Sequence, residues 1–124
     1  MNRALLIAPF ALAACATVQP SPDGVIRVKL GQTASADGLN VTPLRVLEDS
    51  RCPMEARCVW AGRVRISATV NVGSRSEYRE LTLNKPETVA DGTLELVEVM
   101  PPRSTQHPLK AEDYRLGFRF SSGL

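Results

Sequence analysis

Residues 49–62 read DSRCPMEARCVWAG, a stretch that holds two of the three cysteines and the only tryptophan of the 124-residue chain. Directly after it, residues 64–72 show the most regular alternation of apolar and polar side chains in the sequence. An alternation with a period of two is typical of a half-buried β-strand. We therefore expect residues 49–62 to form a corner, closed by the cysteines, that precedes the longest core strand. That strand should be central in its sheet.

The period of two recurs in five further segments, which predict strands at 25–30, 39–48, 77–83, 93–100 and 114–120. The apolar phase changes at Pro43 and again between Leu96 and Val97, which indicates a β-bulge or an edge position at each place. Loops are expected at 31–38, 84–92 and 101–111. About six strands without helical periodicity predict an all-β domain, a small antiparallel β-sandwich or a partly open barrel.

The composition fits one small globular domain, with 44% apolar and 23% charged residues. Aromatic residues make up only 5%, so the core must be built mainly from aliphatic side chains. Lysines and arginines number 15 against 13 acidic residues. A dedicated nucleic-acid surface needs concentrated positive charge, so this near balance argues against nucleic acid as a partner.

The N-terminus has the features of an export signal. Arg3 supplies a positive charge, and the apolar run over 4–12 is too short and too interrupted by Pro9 to span a bilayer. The run ends in Leu12-Ala13-Ala14-Cys15, which resembles the bacterial lipobox. The alternative is ordinary cleavage beside small residues, which would release a soluble periplasmic protein.

The lipobox resemblance implies a triacylated lipoprotein, with palmitate-type chains, in which residues 1–14 are removed and Cys15 becomes the lipidated N-terminus. The thioether would take Cys15 out of disulfide chemistry and leave Cys52 and Cys58 as a pair. Two or more acyl chains give stable membrane residence without a spanning helix. Ala16 stands where an aspartate would retain such a protein at the inner membrane, so the resemblance implies the periplasmic face of the outer membrane.

The segment after the lipidated cysteine has the composition of a linker. In the lipidated tether, residues 15–24, the nine residues after Cys15 are small and polar and are interrupted by Pro20 and Pro22. Nine extended residues reach on the order of 30 Å, so we expect a flexible tether that holds the domain, residues 25–124, away from the bilayer.

Cys52 and Cys58 allow three interpretations. In an exported chain oxidation is the default, which favours a structural disulfide. A thiol-redox role is less favoured because oxidoreductases generally use a Cys-x-x-Cys spacing. A copper(I) site would use soft ligands. The candidate ligands are Cys52, Met54, Cys58 and His107, and Met100 is a further candidate.

Trp60 is expected to lie in the core. Counting back along the alternation from Val64 places Trp60 and Cys58 on the inward face, provided that no bulge intervenes. A large aromatic side chain is also the natural filler of a core with few aromatics. The alternative is an exposed tryptophan that stacks on a ligand.

The cysteine stretch also resembles a family of bacterial proteins. The residues that carry the resemblance are the DSRCP segment at 49–53 and Cys58-Val59-Trp60-Ala61-Gly62. The segments Met100-Pro101-Pro102 and Asp113-Tyr114-Arg115 are similar as well. The family consists of small, uncharacterised exported proteins and lipoproteins, so the resemblance implies export but brings no activity.

No residue pattern specifies catalysis. The only histidine, His107, precedes a proline in a predicted loop and has no hydrolase or metalloprotease motif around it. Carboxylates that could act as acid and base are present, but nothing pairs them; they are Asp49, Glu55, Asp91, Glu112 and Asp113. We therefore expect a non-enzymatic binding or accessory module without a cofactor. The alternatives are a copper-handling or thiol-redox protein and, less favoured, a hydrolase.

The candidate binding surface combines the tryptophan with nearby arginines, namely Arg51, Arg57, Trp60, Arg63 and Arg65. Arg63 and Arg65 would join Arg115 and Arg119 in one basic stripe if their strands were neighbours. Such a stripe could contact anionic lipid or glycan, although surface arginines also serve solubility alone. The expected partner, besides the membrane that holds Cys15, is an envelope protein or a glycan.

Overall fold

The structure, a computed structural model, describes residues 17–89 and 92–122. Eight strands follow one another along the chain: β1 (Ile26–Lys29), β2 (Ala34–Ala36), β3 (Leu39–Asp49), β4 (Val64–Val72), β5 (Arg75–Thr82), β6 (Glu87–Val89), β7 (Gly92–Met100) and β8 (Arg115–Ser122). A short 3-10 helix, Ala111–Asp113, precedes β8. The predicted signal peptide, Cys15 and Asp91 lie outside the described residues.

The strands form two antiparallel four-stranded sheets that pack against each other without closing into a barrel. One sheet has the order β2-β3-β4-β5 and the other the order β1-β8-β7-β6. This confirms the predicted all-β sandwich. β4 lies between β3 and β5, as its regular alternation predicted.

The core lies between the sheets and is built from the inward residues of the alternating strands. In β4 the side chains of Val64, Ile66, Ala68 and Val70 are fully buried. The last strand contributes Leu116 and Phe118, which are also buried, while Phe120 packs at the margin. Burial of this kind is the main favourable term for such a small domain.

Bulges lie where the apolar phase changes. The pairing of β3 with β4 shifts between Pro43 and Arg45 and again between Val46 and Glu48. The pairing of β7 with β8 shifts between Leu96 and Glu98. Each bulge inserts one residue that has no partner on the neighbouring strand. The residues after the bulge therefore face the opposite side of the sheet from the side that the alternation before it predicts.

Two details of the sequence prediction were wrong. The chain has eight strands rather than about six, because β2 and β6 are three-residue strands inside segments predicted as loops. The longest strand is β3, with 11 residues, whereas β4 has 9. Three residues are too few to display a period of two, so β2 and β6 left no signal in the hydrophobic pattern.

The segment predicted as a tether contacts the domain. Val18 forms a parallel bridge with Ala34 of β2, in which its N–H donates to the carbonyl of Thr33 at 3.0 Å. The Ser35 N–H donates to the Val18 carbonyl at 3.1 Å, and the Val18 side chain packs against the core. The chain is therefore attached to the sheet edge seven residues before the predicted domain boundary at Val25.

Among the described residues, no helix is long and apolar enough to cross a membrane.

Candidate functional site: the cysteine loop

Residues 50–63, called the cysteine loop here, connect β3 to β4 and leave the sandwich at one end. Cys52 and Cys58 form a disulfide whose Cα atoms are 5.9 Å apart. The disulfide closes a small ring within the loop, and this confirms the predicted pairing of the two cysteines.

Backbone contacts close the base of the loop. The Ser50 N–H donates to the carbonyl of Arg63, and the Arg63 N–H donates to the Ser50 hydroxyl, both at 2.9 Å. A Cβ atom on Gly62 would overlap the Ser50 carbonyl, so only glycine fits at that position. The two ends of the loop are thus held tightly together before β4 begins.

The loop also rests on the connection between β7 and β8. The Met54 N–H donates to the Arg103 carbonyl at 2.9 Å. The carboxylate of Glu55 accepts hydrogen bonds from the Ser104 hydroxyl and the Thr105 N–H. These two hydrogen bonds lower the pKa of Glu55 from its usual value. The loop therefore has a defined position relative to the sandwich.

Beneath the loop, Asp49, Arg51 and Tyr114 form a partly buried network. The Arg51 guanidinium donates to both carboxylate oxygens of Asp49 at 2.9 Å and to the carbonyls of Val99 at 2.9 Å and Pro101 at 3.1 Å. The Tyr114 hydroxyl donates to Asp49 at 2.8 Å. The network ties the end of β3 to the end of β7 and the start of β8.

The network shifts two pKa values in opposite directions. Burial acts to raise the pKa of Asp49, but hydrogen bonds from Arg51 and Tyr114 outweigh burial and hold that pKa below its usual value. Burial, together with the hydrogen bond to Asp49, raises the pKa of Tyr114 to about 12. Asp49, which the sequence offered only as one of several unpaired carboxylates, is thus a structural carboxylate.

The apolar side chains of the loop point into solvent. Trp60 is 77% exposed, Val59 is 93% exposed and Met54 is 66% exposed. The expectation that Trp60 lies in the core was wrong. The period of two applies only within a strand, and the chain before Val64 turns against Ser50 instead of continuing β4.

The five residues of the predicted binding surface differ in exposure and in their charged partners. Arg51 is committed to the network below the loop, and its side chain is only 17% exposed. Arg63 and Arg65 both pair with Glu48, at 2.6 Å and 3.1 Å. Their hydrogen bonds to Glu48 lower the pKa of that carboxyl. Arg57 is exposed and forms no salt bridge with any described residue, and it lies on the same loop as Trp60.

The condition for a basic stripe, that the two arginine-bearing strands are neighbours, is not met. Arg65 lies on β4, whereas Arg115 and Arg119 lie on β8, and these strands belong to different sheets. Arg119 stands opposite Glu95 in the register of β7 and β8, which places a carboxylate beside it. Strand order is a long-range property, so the alternation within each strand could not reveal this separation.

The copper and redox alternatives would require a different state of the cysteines. Cys52 and Cys58 are bonded to each other here and present no thiolate. Within residues 17–89 and 92–122, no group of three or more His, Cys, Asp and Glu side chains is placed to hold a metal ion. His107 is exposed on the connection between β7 and β8.

Met54 and Val59 belong to this exposed surface although the sequence pattern did not predict their exposure. For Met54 a signal was available, because the seven-residue ring from Cys52 to Cys58 is too small to bury its own side chains, whereas Val59 lies just outside that ring. Comparison of the chain with protein-family models, curated proteins and solved structures found no match. The function proposed below therefore rests on the geometry of the cysteine loop and on the N-terminal sequence.

Proposed function

We propose that this protein is a non-enzymatic lipoprotein of the bacterial envelope that binds another protein through its cysteine loop. Cys15 carries the lipid and holds the chain at the periplasmic face of the outer membrane. The β-sandwich serves as the scaffold, and the loop presents Met54, Arg57, Val59 and Trp60 to the partner.

The observation that carries the proposal is the exposure of the only tryptophan on a loop closed by a disulfide. Tryptophan, methionine and arginine are enriched at protein interfaces, and tryptophan and arginine supply most binding hot spots. Two further apolar side chains, Met54 and Val59, are exposed on the same loop. The loop therefore combines an aromatic anchor with apolar neighbours and a free guanidinium.

The loop is also prepared for binding by its rigidity. The disulfide, the pairing of Ser50 with Arg63 and the contacts to residues 103–105 all restrict its conformations. A loop that is already ordered loses less conformational entropy on association. A protein pocket fits this surface better than a glycan, because aliphatic Met54 and Val59 contribute little to sugar recognition.

The membrane part of the proposal is supported by the lipobox-like Leu12-Ala13-Ala14-Cys15 and by the disulfide, which fits an oxidising compartment. Intact-mass measurement of the protein extracted from membranes tests it. We expect the mass of residues 15–124 with a diacylglyceryl and an N-acyl group, and Cys15→Ser should lack both. An unmodified N-terminus in the membrane fraction would refute the lipid anchor.

The binding part is tested by photo-crosslinking in cells. A photoreactive amino acid replaces Val59, which is 93% exposed, and a control replaces Tyr78, which is 62% exposed on β5 at the edge of the sandwich. We expect a discrete crosslinked envelope protein from position 59 and none from position 78. Equal products from both positions, or a glycan as the only product from position 59, would contradict the proposal.

A further inference from the structure

Most of β3 has an open edge. β2 pairs only with Leu39, Asn40 and Val41, while β3 continues to Asp49. Within the described residues, no strand pairs with this side of β3 beyond Val41. The uncovered part contains both bulges of the strand. We call residues 42–49 the open edge.

A groove of about 480 Å³ lies along the open edge. Its apolar lining comes from Leu44 and Val46 of β3, from Leu109 and Ala111 before β8, and from Leu30, and its charged lining residues are Arg45, Glu48 and Asp49. Leu44 is 47% exposed, because it is the residue that the first bulge leaves without a partner on β4. Contiguous exposed apolar surface of this kind marks interaction sites.

The attachment of Val18 to β2 lies near the beginning of the open edge. Val18 pairs in parallel with Ala34, so the chain enters from the side of Gly31 and Gln32. The Gly31 N–H donates to the Pro43 carbonyl at 2.7 Å, which places that side at the beginning of the open edge. Only Ala16 and Thr17 separate Val18 from Cys15, and the three extended steps from Val18 to Cys15 reach at most about 11 Å.

Basic residues lie in the lining of the groove and next to its lining residues in the chain. Arg45 lines it, Lys110 lies between two lining residues, and Lys29 precedes Leu30 and stands opposite Arg115 in the register of β1 and β8. None of these four forms a salt bridge with a described residue. Glu112 and Asp113 are the exposed acidic residues nearby, while Glu48 and Asp49 are engaged by arginines. Positive charge therefore exceeds free negative charge around the groove, which suits anionic phospholipid headgroups.

We propose that the open edge and its groove dock on the bilayer that carries the Cys15 lipid. This inference rests on the lipid anchor of the proposed function. The short connection to Val18 holds the groove at the membrane surface, where Leu44 contacts the acyl region and the basic residues contact headgroups. The cysteine loop begins at Ser50, six residues beyond Leu44 along β3 and about 20 Å away, so a bilayer contact centred on Leu44 leaves Trp60 available to a partner.

Fluorescence quenching by brominated lipids tests the docking. Trp60→Phe removes the native tryptophan. Leu44→Trp then places a single reporter in the part of the groove lining that belongs to β3, and Ala111→Trp places one in the part that precedes β8. Tyr78→Trp in the same background is the control on β5. The mature chain from Cys15 is coupled through its one free thiol to a maleimide phospholipid in vesicles of phosphatidylethanolamine and phosphatidylglycerol with brominated acyl chains.

Both groove reporters should lose fluorescence relative to vesicles without bromine, while the Tyr78→Trp control should not. Arg45→Glu should weaken the quenching of the Leu44→Trp reporter. Absence of quenching at both groove positions, or equal quenching at the groove and at position 78, would overturn the docking. The chemical anchor is present whether or not cells lipidate Cys15, so this result is separate from the intact-mass test.

Discussion

At the scale of single residues, Asp49 connects segments that are far apart in sequence. It lies at the end of β3 and accepts hydrogen bonds from Arg51, two residues later, and from Tyr114, which directly precedes β8. Arg51 in turn donates to two carbonyls at the end of β7. These contacts set the position of the cysteine loop relative to both sheets.

Replacement of Asp49 by asparagine should destabilise the fold in a pH-dependent way. The pKa of Asp49 is lowered in the folded protein, so its stabilising contribution is present above its unfolded pKa of about 3.9 and is lost as pH falls through the folded value. At neutral pH we expect Asp49→Asn to reduce the free energy of unfolding by about 1.5–3 kcal/mol. Urea denaturation from pH 7 to pH 2.5 should show this difference shrinking below about pH 4; a constant difference would contradict the role of the charge.

Tyr114→Phe probes the same network from the alkaline side. The pKa of Tyr114 is raised to about 12, so its contribution is present below its unfolded pKa of about 10 and is lost as pH rises toward 12. We expect a loss of about 1.5 kcal/mol at pH 7, since a hydrogen bond to a carboxylate is removed. Spectroscopic titration at 295 nm should find one tyrosine of the wild type that ionises near pH 12 and is missing in the variant. Tyr78→Phe is the matched control and should retain it.

Gly62→Ala tests the close approach at the base of the loop. A methyl group there overlaps the Ser50 carbonyl, so the backbone must shift and the pairing of Ser50 with Arg63 weakens. We expect the free energy of unfolding to fall by about 1–3 kcal/mol. Ala61→Ser, at the exposed neighbouring position, should change it by less than about 0.5 kcal/mol. Equal effects of the two changes in urea denaturation would argue against the close contact.

The burial of some residues could be predicted from the sequence, and the burial of others could not. The burial of Val64 and Ile66 follows from their alternation in a strand. Extending the same alternation back to Trp60 failed, because Gly62 and Ser50 turn the chain out of the strand. Which residues meet across a turn is a tertiary property, and the hydrophobic pattern carries no information about it.

At the scale of elements, the disulfide should supply a large part of the stability. In the chain-entropy model, closing the seven-residue ring between Cys52 and Cys58 contributes roughly 2.4 kcal/mol. Cys52→Ser with Cys58→Ser should therefore lower the melting temperature by roughly 10–20 °C for a domain of this size. Differential scanning calorimetry measures the shift. A melting temperature unchanged by the double replacement, or two free thiols at these positions in the native protein, would contradict a structural disulfide.

The strands differ in how far the sequence predicted them. β4 was predicted in the right place because its nine residues show the alternation clearly, and a bulge lies at each of the two phase changes, at Pro43 and after Leu96. β2 was overlooked, although Asp37 and Gly38, both at positive φ, form the tight turn that joins it to β3. An Asp-Gly pair is a hairpin signal, and reading it as such would have identified a strand before Leu39.

At the scale of the whole molecule, the pairing of strands decides what lies on each surface. The sequence did not reveal that β8 pairs with β1 and β7, so it left open a stripe of arginines on β4 and β8 that the strand order excludes. Within the part of the chain that the structure describes, the same topology leaves β3 without a paired strand on one side beyond Val41, and the cysteine loop follows at the end of β3. The two proposed contacts, with the membrane and with a partner protein, thus lie at different places along one strand.

The central claim is that the cysteine loop holds Trp60 in solvent, and the fluorescence of the native protein tests this most directly because Trp60 is the only tryptophan. The emission maximum of the folded protein should nearly coincide with that of the chain unfolded in guanidinium chloride. Acrylamide should quench both states to a similar degree. A native emission maximum shifted clearly to the blue, with protection from acrylamide, would place Trp60 in the core and contradict the account.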